Sequence, residues 1–580
     1  MFINDIKREF YDLLLGKRVL ILANFDVDSI SACRILQYLF TCDTISYTLI
    51  PVQDKQQLTE AYKEHAEAVK FVILINCGGT IDLADTLEPS EDKIIFVADS
   101  HRPLDVCNIY YGNQIRILSK ATDEEGIPEP DEIFCPDESN DENEESGAEE
   151  EENEDVTAEH DSENKNEETS RPKKRKLDLA EAVLKRREKR VWEERRKKIL
   201  FNYTQFSYYS SSTALLMFEL AWKLSRDSNE LLWWAVIGAT EQQVLGKVES
   251  KTFVLDSGKL QSHVTRLAHL TTQSDTLVTR DALVITYEKD LSLFLYRHWD
   301  LWTSLRNTPI TACHFHLWSL KGEKRLYEFL AELGLPLVQC KQKYSSMDLE
   351  LRNDLHKIFQ AKLEKYGLED LMSASFIAQY GYRNKYSAAD IVYALLALLE
   401  APDKDKTPTD CFHEALECLS KTKTETLRKG LENSKLQHVA IGSEVQTSLH
   451  MGHVISAGPF LYAIIQEGAI DARFYGKPQS LLLLGRFLLL ANASRSRGSR
   501  AKFLPLIVSA PAVHKPGYCL VLGLPPIAED SPKNLLGKAF EQAAESAQVE
   551  ITTEFFDSSV IGIKSEDRSR LLDALILLLG

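Results

Sequence analysis

The chain has 580 residues, enough for two to four domains that each bury a core, and 44% apolar and 27% charged residues, the balance of a soluble globular protein. Its formal net charge of −19 excludes a basic nucleic-acid-binding surface spread over the whole molecule. No uncharged run approaches the ~18 residues of a membrane span, the first residues have no signal-peptide pattern, and ten scattered cysteines without a Cys-x-x-Cys pair exclude a zinc ribbon or disulfide framework and point to a reducing compartment.

Val19 to Asn24 is an apolar run that reads as a buried strand of a parallel sheet. At its exit stand Asp26 and Asp28, two carboxylates at spacing i, i+2, and Ser29 is positioned to cap a following helix through Ile30, Ile35, Leu36 and Leu39. Thr44 to Val52 reads as a second strand, Leu58 to Val69 as a helix, Lys70 to Asn76 as a third strand, and Lys93 to Asp99 as a fourth. Alternating strands and helices with short links predict a doubly wound parallel sheet. Three strands would then deliver polar residues to one end: Asp26 and Asp28, Asn76, and Asp99 with His101. Open α/β sheets place their ligands there. The same residues also suit solvated turns and helix caps.

Residues 137–170 hold 17 Asp and Glu against one Lys, a local charge of −16 with almost nothing apolar to bury, and are expected to be disordered. Residues 171–198 hold 14 Lys and Arg against five acids, a local +9. Their first part, with Lys173, Lys174, Arg175 and Lys176, has the compact basic character of a nuclear localisation signal. Leu177 to Leu200 reads as a long charged helix. Ser212 to Leu224 and Asn229 to Ala239 are helical and apolar. His298, His314 and His316 sit among Trp299, Trp302, Phe315 and Trp318 and are expected to pack against these rings rather than ligate metal.

From about 290 to 400 the pattern predicts helix after helix: Lys324 to Leu333, Asp348 to Tyr366 and Ala388 to Leu399, with breaks at Pro336 and Gly367. Its aromatic excess offers Trp302, Trp318, Tyr327 and Tyr344 as partner-interface candidates. Beyond a linker at Asp403 to Thr409, mixed structure returns. Leu481 to Leu490 reads as a helix, Phe503 to Pro511 and Gly517 to Leu524 as strands, and Leu535 to Ala547 and Glu566 to Leu579 as helices. Arg495, Arg497, Arg500 and Lys502 form a basic segment suited to nucleic acid or an acidic partner.

Asp26-Val27-Asp28, Asn76-Cys77-Gly78 and Asp99-Ser100-His101 resemble the motifs of the DHH phosphoesterases, which include the single-strand exonuclease RecJ. In those enzymes the motif carboxylates and histidines bind two manganese ions that activate water and clamp the phosphate. This chain departs from the pattern. Asn24 stands where the first motif has a further acid, Asn76 replaces an Asp, the third motif lacks one histidine, and the nearest fourth-motif acid is Glu241. Two metal ions need negative charge to offset their mutual repulsion. The set Asn24, Asp26, Asp28, Asn76, Asp99, His101 and Glu241 therefore reads as vestigial, with no catalytic residue, metal or cofactor expected.

Together with Trp234 to Gly238, Tyr296 to Trp299 and Gly458 to Tyr462, these motifs resemble one family of that superfamily: the RecJ-like subunits of the eukaryotic replicative helicase. The resemblance implies an α/β fold. A DHH-type doubly wound parallel sheet domain would cover 1–136 and 199–289, with the acidic tract and basic helix at 137–198. An inserted all-helical interaction domain would cover 290–402, and a DHHA1-like α/β domain 403–580, although a DHHA1 motif is not recognisable. The implied role is a non-catalytic scaffold in chromosomal DNA replication that bridges the Mcm hexamer and the GINS complex in the nucleus. Replication-initiation factors and DNA polymerases would be further partners, single-stranded DNA a weak one, and membrane none. The alternative is an active manganese-dependent single-strand exonuclease of the DHH family. Asn24, Asn76 and Ser100 speak against it.

Overall fold

The computed structural model describes residues 1–119, 125–134, 171–273, 283–381, 384–403, 406–466, 468, 471–496, 499–513, 515–527 and 533–580, with backbone alone at 171–186, 270–273 and 499–500. Two units are distinguished, one of 1–120 with 206–580 and one of 121–205.

The first unit begins with a five-stranded parallel sheet in the order β2-β1-β3-β4-β6. Its strands are β1 (Arg18–Asn24), β2 (Ser46–Val52), β3 (Phe71–Ile75), β4 (Ile94–Ala98) and, after the short β5 (His101–Arg102), β6 (Ile115–Ile117). The predicted strands thus all form, and β6 adds an edge too short to have announced itself. The reason for the continuous apolar run in β1 is visible in its burial. Val19, Ile21 and Ala23 face a core shared with the helices Val27–Cys42, Thr213–Lys223, Asn229–Leu245 and Ala388–Leu399. Leu20 and Leu22 face a second core with the helix Lys55–His65. A strand covered on both faces has no polar alternation to keep. Because β2 and β3 flank β1 on opposite sides, the chain reverses direction of winding between β1 and β3. The carboxyl ends of these two strands form the crevice in which such sheets place ligands.

β7 (Tyr208–Tyr209) pairs with β5, bringing Tyr209 opposite His101. The block expected to be all helical, 290–402, is interrupted by two strands. β8 (Leu283–Leu291), β9 (Met372–Tyr380) and β10 (Asn384–Ser387) form an antiparallel sheet, in which nine β8 residues pair with β9. In Met372 to Tyr380 only the middle, Phe376 to Ala378, is buried, so its strand character comes from pairing with β8 some 80 residues earlier rather than from its own pattern. The helices Leu320–Glu332, Leu349–Tyr366 and Ala388–Leu399 match the reading, the last bounded by a Ser387–Asp390 capping box.

The C-terminal part holds β11 (Val454–Ser456), β12 (Leu461–Ile464), β13 (Leu506–Pro511), β14 (Tyr518–Leu524), β15 (Thr552–Glu554) and β16 (Asp557–Lys564) in one mixed sheet, order β11-β12-β13-β14-β16-β15. The helix Pro478–Arg495 covers one face, and Leu536–Ala547 with Arg568–Leu579 cover the other. The helix Thr424–Met451 had no counterpart in the reading.

In the second unit the 34-residue helix Arg171–Thr204 starts six residues earlier than expected and takes in Lys173, Lys174, Arg175 and Lys176. Lys and Arg are good helix formers, and Pro172 sits in the first turn, where its missing N–H is harmless. The side chains of this basic cluster and the acidic tract 137–170 lie outside the described residues. Among the described residues no helix is long and apolar enough to cross a membrane.

Candidate functional site: a neutralised carboxylate cluster at the switch point

β1 ends at Asn24, and the next helix starts at Val27. The sequence reading gave the cap of that helix to Ser29; Asp26 holds it instead. Its extended backbone sets the carboxylate over the Ser29 amide, with Oδ1 accepting at 2.5 Å. Asp28 is the second residue of that helix, 1% exposed, and Asn76 leaves β3 in a left-handed turn with φ of 52°, a conformation that Asn adopts more readily than most residues.

The amides of the two asparagines point into the carboxylates. Asn24 Nδ2 donates to Asp26 Oδ2 at 3.0 Å. Asn76 Nδ2 is shared among Asp26 Oδ1 at 3.3 Å, Asp26 Oδ2 at 3.4 Å and Asp28 Oδ2 at 3.1 Å. The start of the helix Thr213–Lys223 completes the set: the Thr213 and Ala214 amides donate to Asp28 Oδ2 and Oδ1, each at 2.9 Å, and the Ser212 hydroxyl to Oδ1. Asn76 Oδ1 in turn accepts from Thr213 Oγ1 at 2.6 Å and the Ser100 amide at 3.1 Å. All four oxygens of Asp26 and Asp28 therefore accept from the protein itself: those of Asp28 two hydrogen bonds each, and those of Asp26 one each plus a shared hydrogen of the Asn76 amide. Gly238 makes this closeness feasible, since a Cβ there would lie 2.6 Å from Ala214 Cβ and 2.8 Å from Asp28 Oδ1. Burial, followed by the neighbouring Asp26, raises the Asp28 carboxyl above its ordinary value.

Asp99 forms a separate pair. It accepts from the Gly79 amide at 2.8 Å and the His101 amide at 2.9 Å, and its Oδ1 meets His101 Nδ1 at 2.7 Å. Burial works against both charges, but their attraction and hydrogen bonds prevail, holding Asp99 below and His101 above their ordinary values. Glu241, 1% exposed on the helix Asn229–Leu245, meets Lys247 Nζ at 2.8 Å. Burial pushes Glu241 up to about 7; Lys247 opposes this, and Asp26 and Asp28 add to it.

The tip between β15 and β16 reaches the same crevice. Asn24 Nδ2 donates to the Phe555 carbonyl at 2.9 Å, the Phe555 amide to the Gln53 carbonyl at 2.8 Å, and the Phe25 and Phe555 rings stack at 6.0 Å. Tyr209 donates its hydroxyl to Asp557 Oδ2 at 2.8 Å and lies 4.9 Å from the His101 ring.

A dinuclear metal centre does not fit these residues. Each metal would need free carboxylate oxygens, and those of Asp26 and Asp28 are engaged by amides and hydroxyls that carry hydrogen where an ion would sit. Among the described residues the only three ligand atoms within 4.8 Å of one another belong to half-buried Asp82, Asp105 and Cys107, none of them a predicted site position. The structure thus brings all seven sequence-predicted positions to one end of the sheet, Asp99 with His101 and Glu241 as satellites. Sequence reasoning missed Ser212, Thr213, Tyr209, Lys247, Phe555 and Asp557. Only Ser212 had left a local sign, as a helix cap.

The remaining candidates are elsewhere. Trp302 stacks on Tyr327 at 4.8 Å and Trp318 on His316 at 5.1 Å, and Tyr344 meets Tyr296 edge-on at 5.4 Å. Trp302, Trp318 and Tyr344 are half-buried against the protein's own core, and Tyr327 alone of the four is exposed, at 39%. His298 stacks on Tyr386, as expected of a packed histidine. Arg495 is exposed and donates to the Leu449 carbonyl at 2.6 Å, and Lys502 is exposed. Arg497 and the side chain of Arg500 lie outside the described residues.

The family model described as CDC45 matches residues 19–578. The chain is 43% identical over 585 residues to the cell division control protein 45 homolog of Mus musculus and 42% identical over 581 residues to that of Homo sapiens; in both cases 100% of each chain is covered. The crystal structure of CDC45 from Entamoeba histolytica superposes with a TM-score of 0.70 at 21% identity, covering 100% of both chains, and so shares the fold. By sequence along its whole length and by fold, this chain belongs to the CDC45 family.

Proposed function

We propose that this chain is a DNA-replication protein that works without catalysis, as a scaffold subunit of the replicative helicase bridging the Mcm ring and GINS in the nucleus. The observation that carries the non-catalytic reading is the engagement of Asp26 and Asp28: all four oxygens already accept hydrogen bonds from amides and a hydroxyl of the protein itself. Membership of the CDC45 family supports the replication role. Initiation factors and polymerases are further partners, single-stranded DNA is a weak one, and Lys173 to Lys176 supply nuclear import.

The test has two arms. The purified chain with manganese is expected to leave labelled single-stranded DNA and a simple phosphodiester intact; turnover that disappears in an Asp26→Ala, Asp99→Ala double variant would overturn the non-catalytic reading. A tagged chain is expected to co-purify with Mcm and GINS subunits from nuclear extract. A chain recovered without either would refute the scaffold role.

A further inference from the structure

The degenerate site gathers five carboxyl groups, of which Asp99 is paired with His101. Asp26, Asp28, Asp99, Glu241 and Asp557 converge on it, and all but Asp557 are buried. In a two-metal enzyme the ions balance such a cluster. Here one ammonium is placed to do so, and the backbone explains how it gets there. The helix Asn229–Leu245 ends in Gly246 at φ of 64°, and the Lys247 amide donates back to the Gln242 carbonyl at 2.8 Å. This left-handed turn folds Lys247 back along its own helix. Its side chain, 12% exposed, reaches Glu241 at 2.8 Å and lies 5.0 Å over the Tyr209 ring. The hydroxyl of Tyr209 donates to Asp557.

Asp557 belongs to a hairpin tip whose shape needs support. Phe555 and Phe556 both hold left-handed backbone, at φ of 54° and 58°, which costs an aromatic residue free energy and persists only where contacts enforce it. The contacts are those that seat the tip in the crevice: Asn24 and Gln53 on its backbone, Phe25 on its ring, and Tyr209 on Asp557.

We infer that Lys247 is a tethered cation that takes over the charge-balancing role of the missing metal, and that with the 555–557 tip it converts a former catalytic crevice into a latch joining the parallel-sheet domain to the C-terminal sheet. Electrostatics agree: the attraction of Glu241, Asp26 and Asp557 outweighs burial and raises Lys247 above its ordinary value, so that it stays charged. This inference rests on the non-catalytic reading, since a working dinuclear site would leave the ammonium no place.

The experiment compares the full chain with Lys247→Met, which keeps the length and removes the charge, and with Lys247→Arg. Thermal melting with and without 1 mM MnCl2 is combined with hydrogen exchange across 550–562. The wild type is expected to ignore manganese. Lys247→Met is expected to melt several degrees lower, to exchange faster at the 555–557 tip than elsewhere in the C-terminal sheet, and to regain melting temperature with manganese, while Lys247→Arg stays near wild type. If Lys247→Met proves insoluble, Glu241→Gln with Lys247→Met, which removes both charges of the pair, is expected to restore folding. Unchanged melting and exchange in Lys247→Met, an insoluble single variant that the double variant does not rescue, or equal manganese stabilisation of wild type and variant would each overturn the latch. Hydrolysis by the wild type would instead overturn the non-catalytic reading beneath it.

Discussion

Replacing Asn76 by Asp restores a motif acid and ought to harm the protein. The wild-type amide lies 3.1 to 3.4 Å from oxygens of both Asp26 and Asp28. A third carboxylate there would face two others. At about 3.2 Å and an effective dielectric of about 20, each pair of charges repels by about 5 kcal/mol. Taking up a proton is the cheaper escape. At pH 7.5, neutralising a carboxyl with an unfolded value of about 3.9 costs about 5 kcal/mol, and at pH 5 only about 1.5 kcal/mol. The sign follows: a carboxyl whose folded value is raised imposes no cost below its unfolded value, and a growing one as pH rises toward its folded value. Asn76→Asp is therefore expected to lose about 5 kcal/mol of stability at pH 7.5 and to recover most of it at pH 5. Urea unfolding of both proteins in matched buffers measures the difference. A variant within about 1 kcal/mol of wild type at pH 7.5, or equally destabilised at both pH values, would refute the claim that this amide neutralises the cluster.

Two further outcomes follow from side chains outside the site. His438 is buried between Phe294 and Tyr393, its Nε2 without a hydrogen-bond partner, and burial lowers it to about 3; the folded protein keeps it neutral while the unfolded chain takes up a proton below about 6.5, so stability falls with pH, by about 2 kcal/mol at pH 5, and His438→Leu is expected to flatten urea stability between pH 6.5 and 5. Tyr327→Ser is expected to cost about 1 kcal/mol, and Trp302→Ser and Trp318→Ser about 3 kcal/mol each in the same assay, because the tryptophans pack on the core whereas Tyr327 is 39% exposed; tryptophan costs no larger than about 1 kcal/mol would show that all three lie on the surface.

What the sequence determined by itself is local and strongly patterned. The apolar runs of β1, β3 and β4 could be nothing but doubly covered strands, and short acidic or amide-bearing turns at their ends had to meet once the strands were parallel. Capping chemistry fixed the helices Asn229–Leu245 and Ala388–Leu399 at their first residues. The loss of an acid at Asn24 and Asn76 was equally plain, being a matter of residue identity. Tertiary structure alone decided the rest. β9 became a strand because β8 offered its edge, and no periodicity within Met372 to Tyr380 encodes a partner so distant. The saturation of Asp28 depends on Ser212, Thr213 and Ala214, more than 180 residues away, and the contact of Asn24 with Phe555 spans 531 residues. Lys247 carries no motif at all: a glycine turn and a buried carboxylate bring its ammonium to the site. Sequence patterns report which surfaces a segment must bury, whereas the charge balance of a crevice depends on which distant segments fill it.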